Sequence, residues 1–259
     1  MSTGETCPRS APDSAPRLAL ITGASRGIGR AVAERLARDG FSTALVCRNR
    51  LEDAETLARS LRAEGCHAAA FRADISEETE VNDLFEAVRR EFGHLPDVLV
   101  NNAGIALSGV LADQSAADFD RIFSVNVRGM FLTCRAVYDA MVSNRRGRII
   151  NISSMWGVCG ASCEVLYSAS KAAVIGFSKA LALELGPSGV TVNVVAPGVI
   201  RTDMLSCYDE ETLSALAGET PVGRLGTPED IASAVSFFAS DGASFVTGQV
   251  LGANGGFIT

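Results

Sequence analysis

The sequence predicts an α/β fold built on a doubly wound parallel sheet of about seven strands, with helices on both faces. Short apolar runs rich in Val, Ile and Leu alternate along the chain with longer helix-like segments, which is typical of strand–helix repeats. Most of these runs are almost continuously apolar, as strands covered on both faces must be. The predicted strands cover residues 18–22, 43–46, 68–72, 98–101, 148–152, 191–195 and 249–251.

The helices predicted between these strands have recognisable end signals. Gly40 follows the first helix, where a glycine is expected after the last turn. Ser76 precedes Glu77 and Glu78, so we expect its hydroxyl to cap a helix whose first turn favours acidic residues. No composition shift or long linker divides the chain, which predicts one domain. The predicted helices cover residues 27–38, 52–64, 76–91, 118–142, 167–185 and 228–239.

The composition is that of a chain with a large core and a modest acidic surplus. Of the 259 residues, 47% are apolar, and 23 Lys and Arg against 30 Asp and Glu give a net charge of −7. This charge does not favour broad binding to nucleic acid or to an anionic membrane surface. We expect residues 1–16, which are rich in Ser, Pro and Thr, to be a disordered tail rather than a signal peptide. Residues 17–259 are then the folded domain.

The cysteines indicate a reduced, cytoplasmic protein. Their number is odd, no Cys-x-x-Cys pair occurs, and their spacings suit neither a disulfide framework nor zinc. His67 and His94 lie outside every motif, so we expect no metal. The seven cysteines are Cys7, Cys47, Cys66, Cys134, Cys159, Cys163 and Cys207.

A glycine-rich turn directly after the first predicted strand indicates a dinucleotide site. Glycine permits the tight turn and lets the backbone approach a pyrophosphate, whose charge meets the helix N-terminus. An ordinary strand–helix turn is the alternative, but this motif has the strand–turn–helix context that a dinucleotide site requires. The turn and the first helical residues are Thr22, Gly23, Ala24, Ser25, Arg26, Gly27, Ile28 and Gly29.

The charges near this turn favour NADP(H) over NAD(H). A ribose 2′-hydroxyl requires an acidic partner about 20 residues beyond the glycines, whereas a 2′-phosphate requires arginine. The second strand ends in Cys47-Arg48-Asn49-Arg50, without an acidic residue, and Arg26 lies within the turn. Simple surface exposure of Arg48 and Arg50 is the alternative interpretation.

Tyr167 and Lys171 are spaced for acid–base chemistry. They lie four residues apart on a predicted helix and therefore share one face. A phenol with a pKa near about 10 is a poor base at neutral pH. We expect the Lys171 ammonium to lower the pKa of Tyr167 into the range useful for proton transfer.

Together these motifs resemble the short-chain dehydrogenase/reductase family, and the resemblance covers residues 17–259. It rests on the glycine-rich turn, Asn101-Asn102-Ala103-Gly104, Tyr167-x-x-x-Lys171 and Pro197-Gly198, which occur in the family's order. The resemblance implies a Rossmann-type domain and an enzyme that transfers hydride between NADP(H) and a ketone. It also identifies Ser154 and Asn126 with the family's catalytic serine and asparagine.

The resemblance implies a role for each of these residues. Tyr167 would protonate the carbonyl oxygen, and Ser154 would orient the carbonyl. Lys171 would bind the nicotinamide ribose, while Asn126 would hold a water that relays protons towards Lys171. Residues from about 203 to 220 would form a substrate lid. Further cofactor contacts are expected from Asp74 and Ile75 at the adenine, Asn102, Ala103 and Gly104 along the cleft, and Pro197, Gly198, Ile200 and Thr202 at the nicotinamide.

Within the family the chain is most similar to the 3-oxoacyl-[acyl-carrier-protein] reductases, which implies reduction of a 3-ketoacyl thioester in fatty acid synthesis. Asn254 departs from this pattern, since those enzymes usually carry Asp there. The loop before Tyr167 resembles instead the reductases that act on 5-aminopentanone-modified elongation factor P, and Glu164 in that loop would suit a terminal amine. A secondary-alcohol or steroid dehydrogenase is a further alternative, and a non-catalytic NADP(H)-binding regulator is another.

The sequence also bears on subunit assembly and on three side chains near the motifs. Apolar residues on more than one side of the predicted helices 118–142 and 167–185 suggest subunit packing, and the resemblance implies a homotetramer. Trp156 either lines the substrate pocket or anchors the core. Cys159 and Cys163 lie between Ser154 and Tyr167 and are interpreted as packing residues.

Overall fold

All seven predicted strands are present, and they form one sheet. The computed structural model describes residues 16–205 and 208–259, so residues 1–15 of the predicted tail, with Cys7, lie outside the described residues, as does Cys207. Every neighbouring pair of strands is parallel, and the order is β3-β2-β1-β4-β5-β6-β7. The strands are β1 (Leu18–Thr22), β2 (Ser42–Cys47), β3 (Ala68–Arg72), β4 (Val98–Asn101), β5 (Gly147–Ile152), β6 (Val190–Pro197) and β7 (Val250–Ala253).

Helices cover both faces of the sheet and divide the core into two layers. Because successive strand residues point to opposite faces, Ala19 and Ile21 of β1 enter one layer, while Leu18 and Leu20 enter the other. The first layer is closed by the helices Gly27–Arg38, Leu51–Ala63 and Pro228–Ala239, and the second by the helices Glu78–Phe92, Gly129–Asn144 and Val165–Leu185. None of the described helices is both long and apolar enough to cross a membrane. The helices are α1 (Gly27–Arg38), α2 (Leu51–Ala63), α3 (Glu78–Phe92), α4 (Ala116–Phe123), α5 (Gly129–Asn144), α6 (Met155–Cys159), α7 (Val165–Leu185), α8 (Glu210–Glu219) and α9 (Pro228–Ala239).

The strand order places a crevice at the carboxyl edge of the sheet. From β1 the chain moves outward to β2 and β3, and then crosses back to β4 on the other side of β1. The loops that follow β1 and β4 therefore diverge. In open α/β sheets, ligands bind at such a switch point.

The helix predicted over residues 118–142 is interrupted. It consists of α4, a π-helical turn over Ser124–Arg128, and α5. A π-turn inserts one residue into the helical repeat, and such turns are frequent at functional sites. Here the turn contains Asn126, one of the predicted catalytic residues.

The prediction that Ser76 caps a helix is wrong. The helix begins at Glu78, and Glu77 occupies the cap position without a side-chain hydrogen bond. The Ser76 hydroxyl donates instead to Asp74 Oδ1 at 2.7 Å. A carboxylate two residues away thus engages the hydroxyl that would have capped the helix. Gly40 does follow α1, with a φ of +91°.

Truncation of a side chain between α1 and α9 should show how much these helices stabilise the domain. Phe238 is only 2% exposed, whereas its neighbour Phe237 is 48% exposed. We expect Phe238→Ala to lower the free energy of unfolding by about 3–5 kcal/mol, because a cavity replaces the ring. Urea denaturation with Phe237→Ala as the control measures this, and equal losses in the two variants would contradict the assignment of Phe238 to the core.

Candidate active site

The glycine-rich turn and the end of β4 are joined by hydrogen bonds at the switch point. Thr22 Oγ1 accepts from the backbone N–H groups of Asn102 and Ala103, both at 3.0 Å. Asn102 Nδ2 donates back to the Thr22 carbonyl at 2.9 Å. A Cβ on Gly29 would lie 2.2 Å from the Gly23 carbonyl oxygen. Only glycine therefore allows α1 to begin this close to the turn, with Ala24, Ser25, Arg26, Gly27 and Ile28 between the two glycines.

The segment after β6 crosses the same end of the cleft. Gly198 N–H donates to the Ala253 carbonyl at 3.0 Å, and Ile200 forms an isolated parallel bridge with Gly226. A Cβ on Gly27 would be 3.5 Å from Thr202 Cγ2. The segment predicted to contact the nicotinamide begins at Pro197, the last residue of β6, and extends to the glycine-rich turn.

A cleft of about 770 Å³ lies beyond the ends of β2 and β3. In it, Arg48 Nε is 3.0 Å from Asp74 Oδ2, and the next residue, Ile75, is buried. The guanidinium groups suit a phosphate, because arginine binds phosphate oxygens in a planar, bidentate manner. The lining residues are Arg48, Asn49, Arg50, Leu51, Glu52, Asp53, Arg72, Asp74 and Glu80.

The sequence did not predict the contacts of Asp203 with two arginines near this cleft. Asp203 Oδ2 is 2.9 Å from Arg26 Nη1 and 3.8 Å from Arg50 Nη1. All three side chains are more than half exposed. The ion pairs join the start of the predicted lid to the arginines expected at the 2′-phosphate. No local sequence signal could reveal a pairing between residues 177 positions apart.

The catalytic candidates meet where β5 gives way to α6 and α7. Lys171 is buried, and its Nζ donates to the Ile152 carbonyl at 2.9 Å. Burial lowers the pKa of Lys171 from its ordinary value of 10.5 to about 8. Lys171 Nζ lies 5.8 Å from the centre of the Tyr167 ring. The helical spacing therefore brings the two residues together as predicted.

The pKa of Tyr167 is raised, contrary to the prediction that Lys171 would lower it. Burial is the main cause, a hydrogen bond with Ser154 opposes it, and the charge of Glu164 adds to the increase. The Ser154 hydroxyl also accepts from the Trp156 N–H at 3.2 Å and so caps α6. Tyr167 is thus a protonated donor at neutral pH, next to a serine hydroxyl.

Asn126 connects three elements of the site. Its Oδ1 accepts from Ile105 N–H at 2.8 Å, and its Nδ2 donates to the Ile105 carbonyl at 2.9 Å and to Ser170 Oγ at 3.0 Å. Ser170 in turn donates to the Tyr167 carbonyl at 2.8 Å. Ser170 was not predicted, although its position one helical turn after Tyr167 was a usable signal. A Cβ on Gly104 would lie 3.2 Å from both Asn126 Oδ1 and Lys171 Nζ.

A small cavity separates Asn126 from Lys171. Its volume is about 10 Å³, which is roughly the size that one water requires. Polar groups are present on several sides. It is lined by Ile75, Asn101, Ala103, Asn126, Met130, Ile152, Lys171 and Val174.

The loop between Ser154 and Tyr167 contains the side chains whose roles were left open. Trp156 is partly buried, and its ring lies edge-on to Phe257 at 5.9 Å between centres. Cys159 and Cys163 are exposed free thiols, so the interpretation of both as packing residues is wrong. Within the described residues, no group of three or more His, Cys, Asp or Glu side chains is placed to hold a metal ion.

A match to a protein family agrees with this fold and geometry. A family model described as "Enoyl-(Acyl carrier protein) reductase" matches residues 23–258. The chain belongs to this family of short-chain dehydrogenases/reductases, and it is an oxidoreductase.

Several individual proteins are similar to the chain over nearly its whole length. The chain is 40% identical to the 3-oxoacyl-[acyl-carrier-protein] reductase FabG of Escherichia coli (strain K12) over 240 residues, which cover 93% of this chain and 96% of that protein. It is likewise 40% identical to FabG of Staphylococcus aureus (strain N315) over 238 residues, 92% of this chain and 96% of the relative. FabG of Salmonella typhimurium is similar to the same extent, 40% over 240 residues.

The buried Lys171 should make stability depend on pH. The folded state releases the Lys171 proton near pH 8, whereas the unfolded chain keeps it up to about 10.5. The unfolded state therefore binds more protons between these values, and stability rises with pH there. We expect wild type to gain about 2–3 kcal/mol relative to Lys171→Met between pH 7 and pH 10.

Denaturant unfolding at several pH values measures this gain. Lys179→Met, which removes an exposed lysine from the same helix, is the control and should follow wild type. Parallel stability curves for wild type and Lys171→Met would show that Lys171 keeps an ordinary pKa.

Proposed function

We propose that this enzyme uses NADPH to reduce a ketone, and that its substrate is a 3-oxoacyl thioester, which becomes the 3-hydroxyacyl thioester in fatty acid synthesis. The observation that supports this most directly is the placement of Tyr167 between two groups: Ser154, whose hydroxyl acts on the pKa of Tyr167, and the buried Lys171, whose Nζ lies 5.8 Å from the centre of the Tyr167 ring. Two adjacent hydroxyl groups provide the donors that a ketone oxygen needs. The 40% identity to 3-oxoacyl-[acyl-carrier-protein] reductases over nearly the whole chain supports the choice of ketone.

The proposed mechanism divides the work among four side chains. Bound NADPH supplies the hydride for the carbonyl carbon. Ser154 donates a hydrogen bond that orients the ketone oxygen, and Tyr167 transfers its proton to that oxygen. The pKa of Tyr167 is not lowered from its ordinary value, so the phenol is protonated at neutral pH and carries the proton that this direction requires.

Lys171 and Asn126 complete the proposed proton path. Lys171 is held at the Ile152 carbonyl, from where its ammonium binds the nicotinamide ribose. Asn126 and Lys171 both line the cavity of about 10 Å³. A water there would connect Lys171 to solvent and restore the proton that Tyr167 gives up.

The residues around the cleft fit NADP(H). The glycine-rich turn presents backbone N–H groups to the pyrophosphate at the start of α1, while Arg26 and Arg48 provide cations for the 2′-phosphate. We assign the cofactor to Thr22, Gly23, Ser25, Arg26, Gly27, Ile28, Gly29, Arg48, Asp74, Ile75, Asn102, Ala103, Gly104, Tyr167, Lys171, Pro197, Gly198, Ile200 and Thr202.

Partners and assembly follow from the same proposal. The substrate would be delivered on acyl carrier protein, as the names of the relatives indicate for those proteins. Large apolar side chains are exposed on α5, α7, β7 and the segment before β7, and they suit a homotetramer. Examples are Phe131, Leu183, Phe245 and Leu251. The five described cysteines are free thiols, in keeping with a cytoplasmic location.

A second candidate is the reduction of 5-aminopentanone-modified elongation factor P. One observation favours it: the loop before Tyr167 contains an acidic side chain, Glu164, whose charge helps to raise the pKa of Tyr167. A carboxylate there suits an amine-bearing ketone better than a neutral acyl chain.

Removal of one hydroxyl tests the proposed chemistry. We expect Tyr167→Phe to reduce kcat for NADPH-dependent reduction of an acetoacetyl thioester by at least about 100-fold, because the proton donor is lost. The Kd for NADPH should change little. Tyr138→Phe makes the same chemical change on α5 and is the control. Substantial turnover by Tyr167→Phe would refute the assignment.

The cofactor preference depends on Arg48. We expect Arg48→Ala to raise the Kd for NADPH about tenfold while leaving the Kd for NADH nearly unchanged, because only NADPH has the 2′-phosphate. Arg30→Ala, which removes an exposed arginine on α1, should affect neither. Fluorescence titration of wild type and both variants with NADPH and NADH measures the six Kd values. Equal weakening for NADPH and NADH would show that Arg48 does not contact the phosphate.

A further inference from the structure

Four polar side chains near the start of α7, the helix that carries Tyr167, have no role in the proposed mechanism. We call Ser108, Gln114, Glu164 and Ser168 the Glu164 cluster. It lies where the loop after β4 meets the start of α7. The Ser108 hydroxyl donates to Glu164 Oε1, and Gln114 Nε2 donates to the Gly109 carbonyl at 3.2 Å.

The backbone fixes this junction. Gly109 N–H donates to the Cys163 carbonyl at 2.8 Å, which joins the two segments directly. Cys163 has a φ of +61°, a left-handed conformation that is unfavourable for a residue with a Cβ and is concentrated at ligand sites. Glu164 occupies the cap position of α7, yet its side chain accepts no hydrogen bond from the helix. The carboxylate is therefore held by the loop rather than by a capping role.

The cluster concentrates unpaired polar atoms. Among the described residues, four buried side-chain polar atoms lack a hydrogen-bond partner, and three belong to this cluster: Gln114 Oε1, Glu164 Oε2 and Ser168 Oγ. Leaving such an atom unpaired is unfavourable, most of all when it is charged. The amide and carboxylate oxygens can only accept, and the Ser168 hydroxyl can accept or donate, so the cluster is complementary to a hydrogen-bond donor.

The charge of Glu164 matters for the reaction as well. It contributes to the raised pKa of Tyr167. The same charge opposes the negative charge that develops on a ketone oxygen as hydride arrives. A positively polarised N–H group on the substrate would offset this effect.

We propose that Glu164 is a specificity-determining residue that accepts a hydrogen bond from an N–H group of the ketone substrate. This inference rests on the proposed reduction of a ketone at Tyr167. The N–H group can belong to a protonated amine or to an amide, such as those of a pantetheine arm. In either case the carboxylate selects a substrate with a donor near the reacting carbonyl.

Three ketones of equal chain length test the inference: one with a terminal primary amine, its N-acetylated form, and an alkyl isostere without N–H. We would measure kcat/KM with NADPH for wild type, Glu164→Ala and Glu164→Gln. Asp113→Asn removes an exposed acid from the loop after β4, next to Gln114, and is the matched control. Calorimetric titration of each ketone into the NADP⁺ complex gives affinities that do not depend on turnover, and thermal melting verifies folding.

We expect wild type to prefer at least one N–H ketone over the alkyl isostere by on the order of tenfold or more. Glu164→Ala should abolish the preference, because the acceptor is gone, and Asp113→Asn should retain it. Glu164→Gln keeps a neutral acceptor, so it should lose a preference for the amine but keep one for the amide. If Glu164→Ala does not fold, the comparison of Glu164→Gln with wild type on the amine and the alkyl isostere decides.

Two results would overturn the inference: equal use of all three ketones by wild type, or a preference that survives in Glu164→Ala. Failure of the proposed function has a different signature, since wild type would then reduce none of the ketones. The titrations still decide in that case. Tighter binding of an N–H ketone by wild type but not by Glu164→Ala would support the inference, and equal binding of all three would contradict it.

Discussion

The active site depends on one buried ammonium group. Lys171 is buried, so its ammonium needs a hydrogen-bond acceptor within the protein, and the Ile152 carbonyl at the end of β5 provides it. Two further contacts hold the backbone of α7 at the same place. Ser153 Oγ donates to the Lys171 carbonyl at 2.8 Å, and a Cβ on Gly157 would lie 2.7 Å from the Lys171 carbonyl carbon. With β5, α6 and α7 fixed in this way, Ser154 and Tyr167, whose hydroxyl groups we propose act on the ketone, lie next to each other.

Beneath the site, a chain of buried polar side chains extends this constraint across the sheet. Thr133 on α5 donates to Asn101 Oδ1 at 2.7 Å, Asn101 donates to Asn151 Oδ1 at 2.9 Å, and Asn151 donates to Ser178 on α7 at 2.8 Å. Such a network is stabilising only when every member is satisfied. The network links α5, the helix that follows the Asn126 turn, to α7, the helix that carries Tyr167, and so fixes the distance between the two helices.

The strands and the catalytic spacing could be predicted because both leave local signals. A strand buried on both faces is continuously apolar, and an i, i+4 pair on a helix shares one face. The π-turn at Asn126 left no such signal, since apolar residues continue through it. The Asp203 ion pairs join distant parts of the chain. The pKa of Tyr167 was predicted in the wrong direction, because a sequence reveals the neighbouring lysine but not the burial that raises this pKa.

We propose that the paired hydroxyls of Ser154 and Tyr167 act on a carbonyl oxygen. A competition experiment decides this, in which the enzyme is offered equal concentrations of a 3-oxoacyl thioester and a trans-2-enoyl thioester, with NADPH deuterated at the transferable position. Product mass spectrometry then shows which carbon receives deuterium. We expect one deuterium at C3 of a 3-hydroxyacyl thioester and an unchanged enoyl thioester. Deuterium in a saturated acyl product, with the ketone left intact, would contradict it.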